Sequence, residues 1–200
     1  MSIKTIWKAN PEHPEYTESR QHIIECAADI IQEAGVKKLR FDEVAQRAGC
    51  ARPTLYRYFN SKEELIGAVI IHLMNINAED ITNRVKSIKD MKKRVVQIIY
   101  IGVQNMRHDP RFKLFLDPQN NQYLVHLSMD IIPDIVAPLL DNAINAEKSA
   151  ITFNPSLSTI DIARWIVMQV YALGTFGPVG NSEREEKRFI EKLVIPGLFA

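Results

Sequence analysis

Two hundred residues are chain enough for one or two modest domains with a real core. At 46% hydrophobic and 24% charged, the composition excludes wholesale disorder. A formal charge of +1 excludes nucleic-acid binding by bulk charge, so any such role needs a local patch. Cys26 and Cys50 are too few for a disulfide framework, and neither sits in a Cys/His cluster spaced for zinc, so no metal or cofactor is expected. No apolar run reaches signal-peptide length near the start, and none approaches the eighteen residues of a membrane span. The chain reads as soluble, reduced and cytoplasmic.

Residues 1–16 form a tail in which Lys4, Trp7 and Lys8 offer a minor-groove arm or simply an unstructured end. Thr17 is the expected N-cap of a first helix, with apolar Ile23, Ala27, Ile30 and Ile31 on its face and Gly35 at its close. A short helix follows from about Asp42 to Ala48, and Gly49 breaks it. Pro53 suits the first turn of the next. Ser61 and Glu64 have capping-box spacing and open a long fourth helix reaching the mid-eighties. Asp90 opens another, whose stretch Val95 to Met106 is apolar on nearly all sides and should be buried centrally. Pro110 ends it. A short piece, Arg111 to Leu116, precedes a helix from about Gln119 to Ala146, with kinks or a break expected at Pro133 and Pro138. Ser149 to Ser156 reads as a loop. Helices from Thr159 to Leu173 and from Ser182 to about Ile195 close the chain, the second with a capping box from Ser182 to Glu185. Between them GTFGPVG, Gly174 to Gly180, reads as an interhelical loop or a phosphate cradle, though no strand precedes it. The fold class is all-α in two unequal parts.

From Lys37 to Lys62, Lys37, Lys38, Arg40, Arg47, Arg52, Arg57 and Lys62 stand against Asp42 and Glu43. That is a net +5, which leaves −4 for the rest. A basic head on a mildly acidic body is the electrostatic footprint of a nucleic-acid binder with a second domain. Inside the head lies a helix-turn-helix pattern. Val44, Ala45 and Ala48 face inward from one short helix, Gly49 makes the turn, and Leu55 with Phe59 faces inward from the next. The outer side of that second helix carries Arg52, Thr54, Tyr56, Arg57 and Tyr58, which suit phosphates and base edges in a major groove.

The run FDEVAQRAGCARPTLYRYFNSKEEL, Phe41 to Leu65, resembles the DNA-binding domain of TetR/AcrR-family transcription regulators. Gly49, Thr54, Leu55, Tyr56, Tyr58, Phe59, Lys62, Glu63 and Leu65 match the family's typical form. The resemblance implies a three-helix DNA-binding domain over 17–62 and a larger helical effector-binding and dimerisation domain over 63–200. It implies phosphate contacts at Thr54, Tyr56 and Lys62, and base or groove contacts from Arg52, Pro53, Arg57 and Tyr58. Tyr56 has a compatible second reading as a packing residue. Three positions depart from the pattern. Arg40 stands where Ser or Thr often caps, which weakens the cap and adds a phosphate ligand. Ala51 replaces a common Ser, so a hydrogen bond should be missing there. Cys50 replaces a common Val and is either a redox switch or a small core residue.

The same resemblance implies a homodimeric repressor of a near-palindromic operator, released by a mainly apolar small-molecule effector. The helix after Thr159 has two apolar stripes, more than one core requires. Ile160, Ala163, Val167 and Val170, with Phe189, Leu193 and Val194 of the last helix, are the expected dimer interface, a four-helix contact between subunits. Met106, Phe112, Phe115, Tyr123, Leu127, Trp165, Met168 and Tyr171 are expected to wall an effector pocket, with His72, Gln122 and His126 as polar anchors. No nucleophile, metal or nucleotide signature supports an enzyme. A ligand-independent or activating regulator, and a helical protein-interaction module, remain as alternatives.

Overall fold

Residues 14–112, 115, 121–146 and 153–200 are described by the computed structural model. The tail up to residue 13, most of the piece after Phe112 and the first part of the 149–156 loop lie outside them. Every helix-period apolar stripe within these residues forms a helix. In order these are α1 (Pro14–Ala34), a 3-10 turn (Val36–Lys38), α2 (Phe41–Arg47), α3 (Arg52–Tyr58), α4 (Lys62–Val85), α5 (Met91–His108), a 3-10 turn (Pro110–Phe112), α6 (Asn121–Ala146), α7 (Thr159–Phe176) and α8 (Glu183–Phe189). A π-helical turn (Ile190–Val194) and a 3-10 turn (Pro196–Leu198) follow. Among the described residues the sheet-type pairing is a single bridge between Phe153 and Phe199. The architecture is all-α.

Local chemistry explains most helix ends. Thr17, the expected N-cap, lies inside α1, because Pro14 with its fixed φ already suits a first turn. Ser61 Oγ accepts from the Glu64 N–H at 3.1 Å, as its spacing predicts. The return half of that box is shifted, for the Glu64 carboxylate accepts from the Asn60 N–H at 2.8 Å. Ser182 and Glu185 repeat the shift, with Asn181 N–H donating to Glu185 at 2.6 Å. The complete capping box is one not expected, Ser158 with Asp161 at the start of α7. Asp90 caps α5 through the Lys93 N–H at 2.9 Å. α6 runs through both Pro133 and Pro138 without ending.

Two apolar clusters hold the chain. One joins α1 through α4 and takes in Met106, Phe112 and Phe115. The other joins α5, α6 and α7 to the C-terminal turns, and Val170 packs against both. α5 is the central rod, with no residue from 95 to 106 exposed. Its Arg107 forms a buried ion pair with Glu186 of α8 at 2.7 Å. Gln104 donates to the other Glu186 oxygen at 2.9 Å, and Arg107 also donates to the Leu173 carbonyl at 2.6 Å. Glu186 therefore belongs to the core, whereas its neighbour Glu185 does the capping. The GTFGPVG segment ends α7 and links it to α8, with Gly177 and Gly180 at positive φ.

Candidate nucleic-acid interface

The helix-turn-helix is built around two fully buried side chains, Leu55 and Phe59, which hold α3 against Val44 and Ala45 of α2. Burying each stabilises by about 1.5–3 kcal/mol. Gly49 makes the turn at φ +66°, a conformation that a Cβ disfavours by roughly 1–2 kcal/mol. Cys50 N–H then bonds back to the Ala45 carbonyl at 2.9 Å. Neither Arg40 nor Ala51, the N-caps of α2 and α3, supplies a side-chain cap. Both departures from the family pattern thus cost a hydrogen bond. Cys50 is half-buried against the apolar cluster, as a small core residue would be. Cys26 is buried, and desolvation pushes its thiol pKa up, away from a reactive thiolate.

Arg40, Arg52, Pro53, Tyr56 and Arg57 are exposed on the outer side, while Thr54, Tyr58 and Lys62 are half-buried. Tyr56 stands on Phe41 with ring centroids 5.0 Å apart, so it packs and faces outward at once. Arg52 is pre-positioned. One terminal nitrogen donates to Asp42 at 3.2 Å and the other to the Tyr56 hydroxyl at 3.3 Å. Tyr56 and then Asp42 push its pKa up, so it stays cationic. Lys62 donates to the Lys37 carbonyl at 3.3 Å. Arg47, counted in the basic head, faces away from α3's outer side. It forms a two-pronged 2.7 Å pair with Glu33 that clamps α2 to α1 and holds the Glu33 carboxyl below its usual range.

A cavity of about 120 Å³ lies in the body between α4, α5, α6 and α7. Each helix contributes one face: Met74, Asn77 and Ile81 of α4, Ile98, Gly102 and Asn105 of α5, Ser128, Ile132 and Val136 of α6, and Val167, Val170 and Tyr171 of α7. Of the expected walls, Met106, Phe112, Phe115 and Tyr171 line it. Trp165 and Met168 do not; they are 38% and 50% exposed on the opposite side of α7. His126 is exposed, and His72 lies apart, 3.0 Å from Gln21 of α1. The side chains of Gln122, Tyr123 and Leu127 lie outside the described residues. Asn77, Asn105 and Ser128 were missed. Asn77 lies between Met74 and Ile81 on one α4 face, which is the signal that could have found it.

Residues 23–69 match the model for bacterial regulatory proteins of the tetR family. Over those residues this chain carries that family's DNA-binding domain, and it is similar to TetR-family regulators. It is a DNA-binding transcriptional regulator rather than an enzyme, as are its relatives. An uncharacterized HTH-type transcriptional regulator of Mycobacterium tuberculosis is 22% identical over 176 residues, 87% of this chain and 82% of its own. Among solved structures, the transcriptional repressor QsdR of R. erythropolis shares the fold at a TM-score of 0.62 and 19% identity, covering 91% of this chain and 95% of its own. RolR in complex with resorcinol does so at 0.65 and 14%, covering 92% and 89%. TetR-family regulators bind operator DNA and act as dimers with small-molecule ligands.

Of the two stripes of α7, the structure turns inward the one expected at the dimer interface. Ala163, Val167 and Val194, expected at a dimer interface, are buried within the chain. Val170 lies against α5, where a Cβ on Gly102 would meet it at 3.0 Å. Ile160 and Phe189 are half-buried against the second cluster. The outward stripe is instead Trp165, Met168 and Phe176, the last 88% exposed, and Leu193 stands beside it at 69%. Trp165 is fixed there by its indole N–H, which donates to the Val194 carbonyl at 2.9 Å. Among the described residues no helix is long and apolar enough to cross a membrane.

Proposed function

We propose that this regulator is a homodimeric repressor that binds a near-palindromic operator through α3 and leaves it when a mainly apolar molecule fills the body cavity. The observation that carries the reading is α3 itself. Its inner side is fully buried, while Arg52, Pro53, Tyr56 and Arg57 are all presented outward, with Arg52 already oriented. Phosphate ligands at Thr54, Tyr56, Lys62 and Arg40 would set the register, and Arg52, Pro53, Arg57 and Tyr58 would read the groove. Residues 17–62 are the DNA-binding unit in this reading, and 63–200 the effector and dimer unit, within the cytoplasm.

Dimerisation through Trp165, Met168, Phe176 and Leu193 would pair two recognition helices one DNA turn apart or more. The large exposed apolar side chains on one side of α7 support it. Coupling has a physical route, because Met74, Met106, Phe112 and Phe115 line the cavity and also belong to the cluster that holds α1, α2 and α3. An effector shifts DNA affinity only by its own differential affinity for the two states.

Fluorescence anisotropy with the DNA upstream of the protein's own gene, at two salt concentrations, tests this. The expected result is competitor-resistant binding at two subunits per site, with a dissociation constant on the order of 10⁻⁸ to 10⁻¹¹ M and a steep salt dependence. Arg57→Ala should cost about 10- to 100-fold at the operator and little on unrelated DNA. Equal, weak binding to any DNA would overturn the reading.

A further inference from the structure

The cavity's chemistry restricts its occupant. Among the described residues no charged side chain lines it, and its walls are chiefly methionine, aliphatic and phenyl surface. A carboxylate or ammonium entering there would lose its hydration with no counter-charge to replace it. Besides Tyr171, which is engaged in an interaction of its own, two polar features interrupt the walls, and they differ in how well they are satisfied. Asn105 donates to Asn77 at 2.7 Å, so these two amides hold each other across α5 and α4. Ser128, on α6, is 3% exposed, and its hydroxyl has no hydrogen-bond partner among the described residues.

A serine inside a helix ordinarily returns its hydroxyl to the carbonyl one turn back, and a buried hydroxyl with no partner is rare in native structures. The other two unpaired buried polar atoms, Arg107 Nε and Thr175 Oγ1, do not line the cavity. Ser128 is therefore the one unpaired buried group, among the described residues, that borders the space a ligand would fill. That space, about 120 Å³, is of the scale of a cavity on the order of 150 Å³ that takes up benzene.

We propose that Ser128 is the polar anchor of the cavity. Its ligand is a neutral molecule about the size of one substituted ring, whose hydroxyl or carbonyl oxygen pairs with the Ser128 hydroxyl while the ring lies on the apolar walls. This rests on the reading of the cavity as the effector site and adds the chemical class of the effector. A free carboxylic acid, ionised at neutral pH, is excluded, and a hydrocarbon lacking the oxygen leaves Ser128 unpaired.

The test uses the full chain and three probes of similar shape: benzyl alcohol, toluene and benzoate, titrated at pH 7.5 by ligand-observed NMR. Benzyl alcohol should bind about 3- to 10-fold more tightly than toluene, the worth of one neutral hydrogen bond. Benzoate should show no saturation over the same range. In Ser128→Ala the preference for the alcohol over toluene should vanish. That variant should also melt no lower than wild type without ligand, since it removes an unpaired buried hydroxyl. Four results would overturn the assignment: benzoate binding as well as the alcohol, an unchanged preference in Ser128→Ala, a lowered melting temperature of that variant, or no binding by any of the three. Operator release is read separately by anisotropy. Alcohol that binds through Ser128 without changing DNA affinity supports the anchor and contradicts the gating. A carboxylate that releases DNA from the cavity contradicts the anchor and supports the gating.

Discussion

The helix-turn-helix head and the cavity-bearing body are built from the same kind of helix in opposite ways. In the head, one short run supplies everything: Leu55 and Phe59 point in, Arg52, Tyr56 and Arg57 point out, and Gly49 sets the angle between α2 and α3. In the body, the proposed ligand site is an interior one, assembled from four helices between residues 74 and 171. The head is tightly packed and polar outside, whereas the body is apolar and keeps a space. A surface that reads a rigid partner needs a packed support. A surface that takes up a small molecule needs incomplete packing, and it needs that space to share walls with the head.

That contrast can be attacked directly. Phe59→Ala empties a fully buried, close-packed position, and the expected loss is about 5 kcal/mol in urea-induced unfolding, near the top of the range for such changes. Phe112→Ala removes a ring that already borders a cavity, so its loss should lie nearer 3 kcal/mol. Only Phe112→Ala should also alter ligand binding. Equal losses would mean that the body is packed like the head and that the space has no functional role.

The outward stripe of α7 gives the next largest effect. Phe176→Glu combined with Leu193→Glu should leave the fold intact by circular dichroism, convert the dimer to monomer in sedimentation, and weaken operator binding by more than about 10-fold. A double variant that remained dimeric would move the interface elsewhere. The smallest effect is at the start of α7. Ser158→Ala removes an N-cap and should cost about 1 kcal/mol in thermal unfolding. The Ser158 hydroxyl and then its N–H hold the Asp161 carboxyl below its usual range. A carboxyl depressed in the folded state stabilises above its unfolded pKa, and that contribution is lost as pH falls through the folded one. Ser158→Ala should therefore flatten the acid side of the stability curve.

The head was legible because its chemistry is contiguous. From Phe41 to Leu65 the alternation of small inward residues, a turn glycine and outward cations reads directly as two short helices and a surface. What local pattern could not convey was pairing across the chain, such as Arg47 clamped by Glu33 and Glu186 buried against Arg107. The body was legible as helices but not as faces. Trp165 and Met168 are large and apolar, which suggests an interior wall, whereas Ala163 and its stripe suggest contact with a partner subunit. The structure reverses this because small residues permit close approach. A Cβ on Gly174 would meet Met106 at 2.6 Å, so that stripe belongs against α5 and the large residues are left outside. Hydrophobicity alone cannot tell a face covered by the same chain from one left exposed.

The most direct test of the account is selection of binding sites by the full-length protein from a randomised duplex library, with sequencing of the enriched pool. The account predicts an inverted repeat with half-sites centred a helical turn or more apart, and loss of the conserved half-site bases when Arg57→Ala is used instead. An enriched single, non-repeated site would contradict the paired recognition helices, and no enrichment at all would contradict sequence reading by α3.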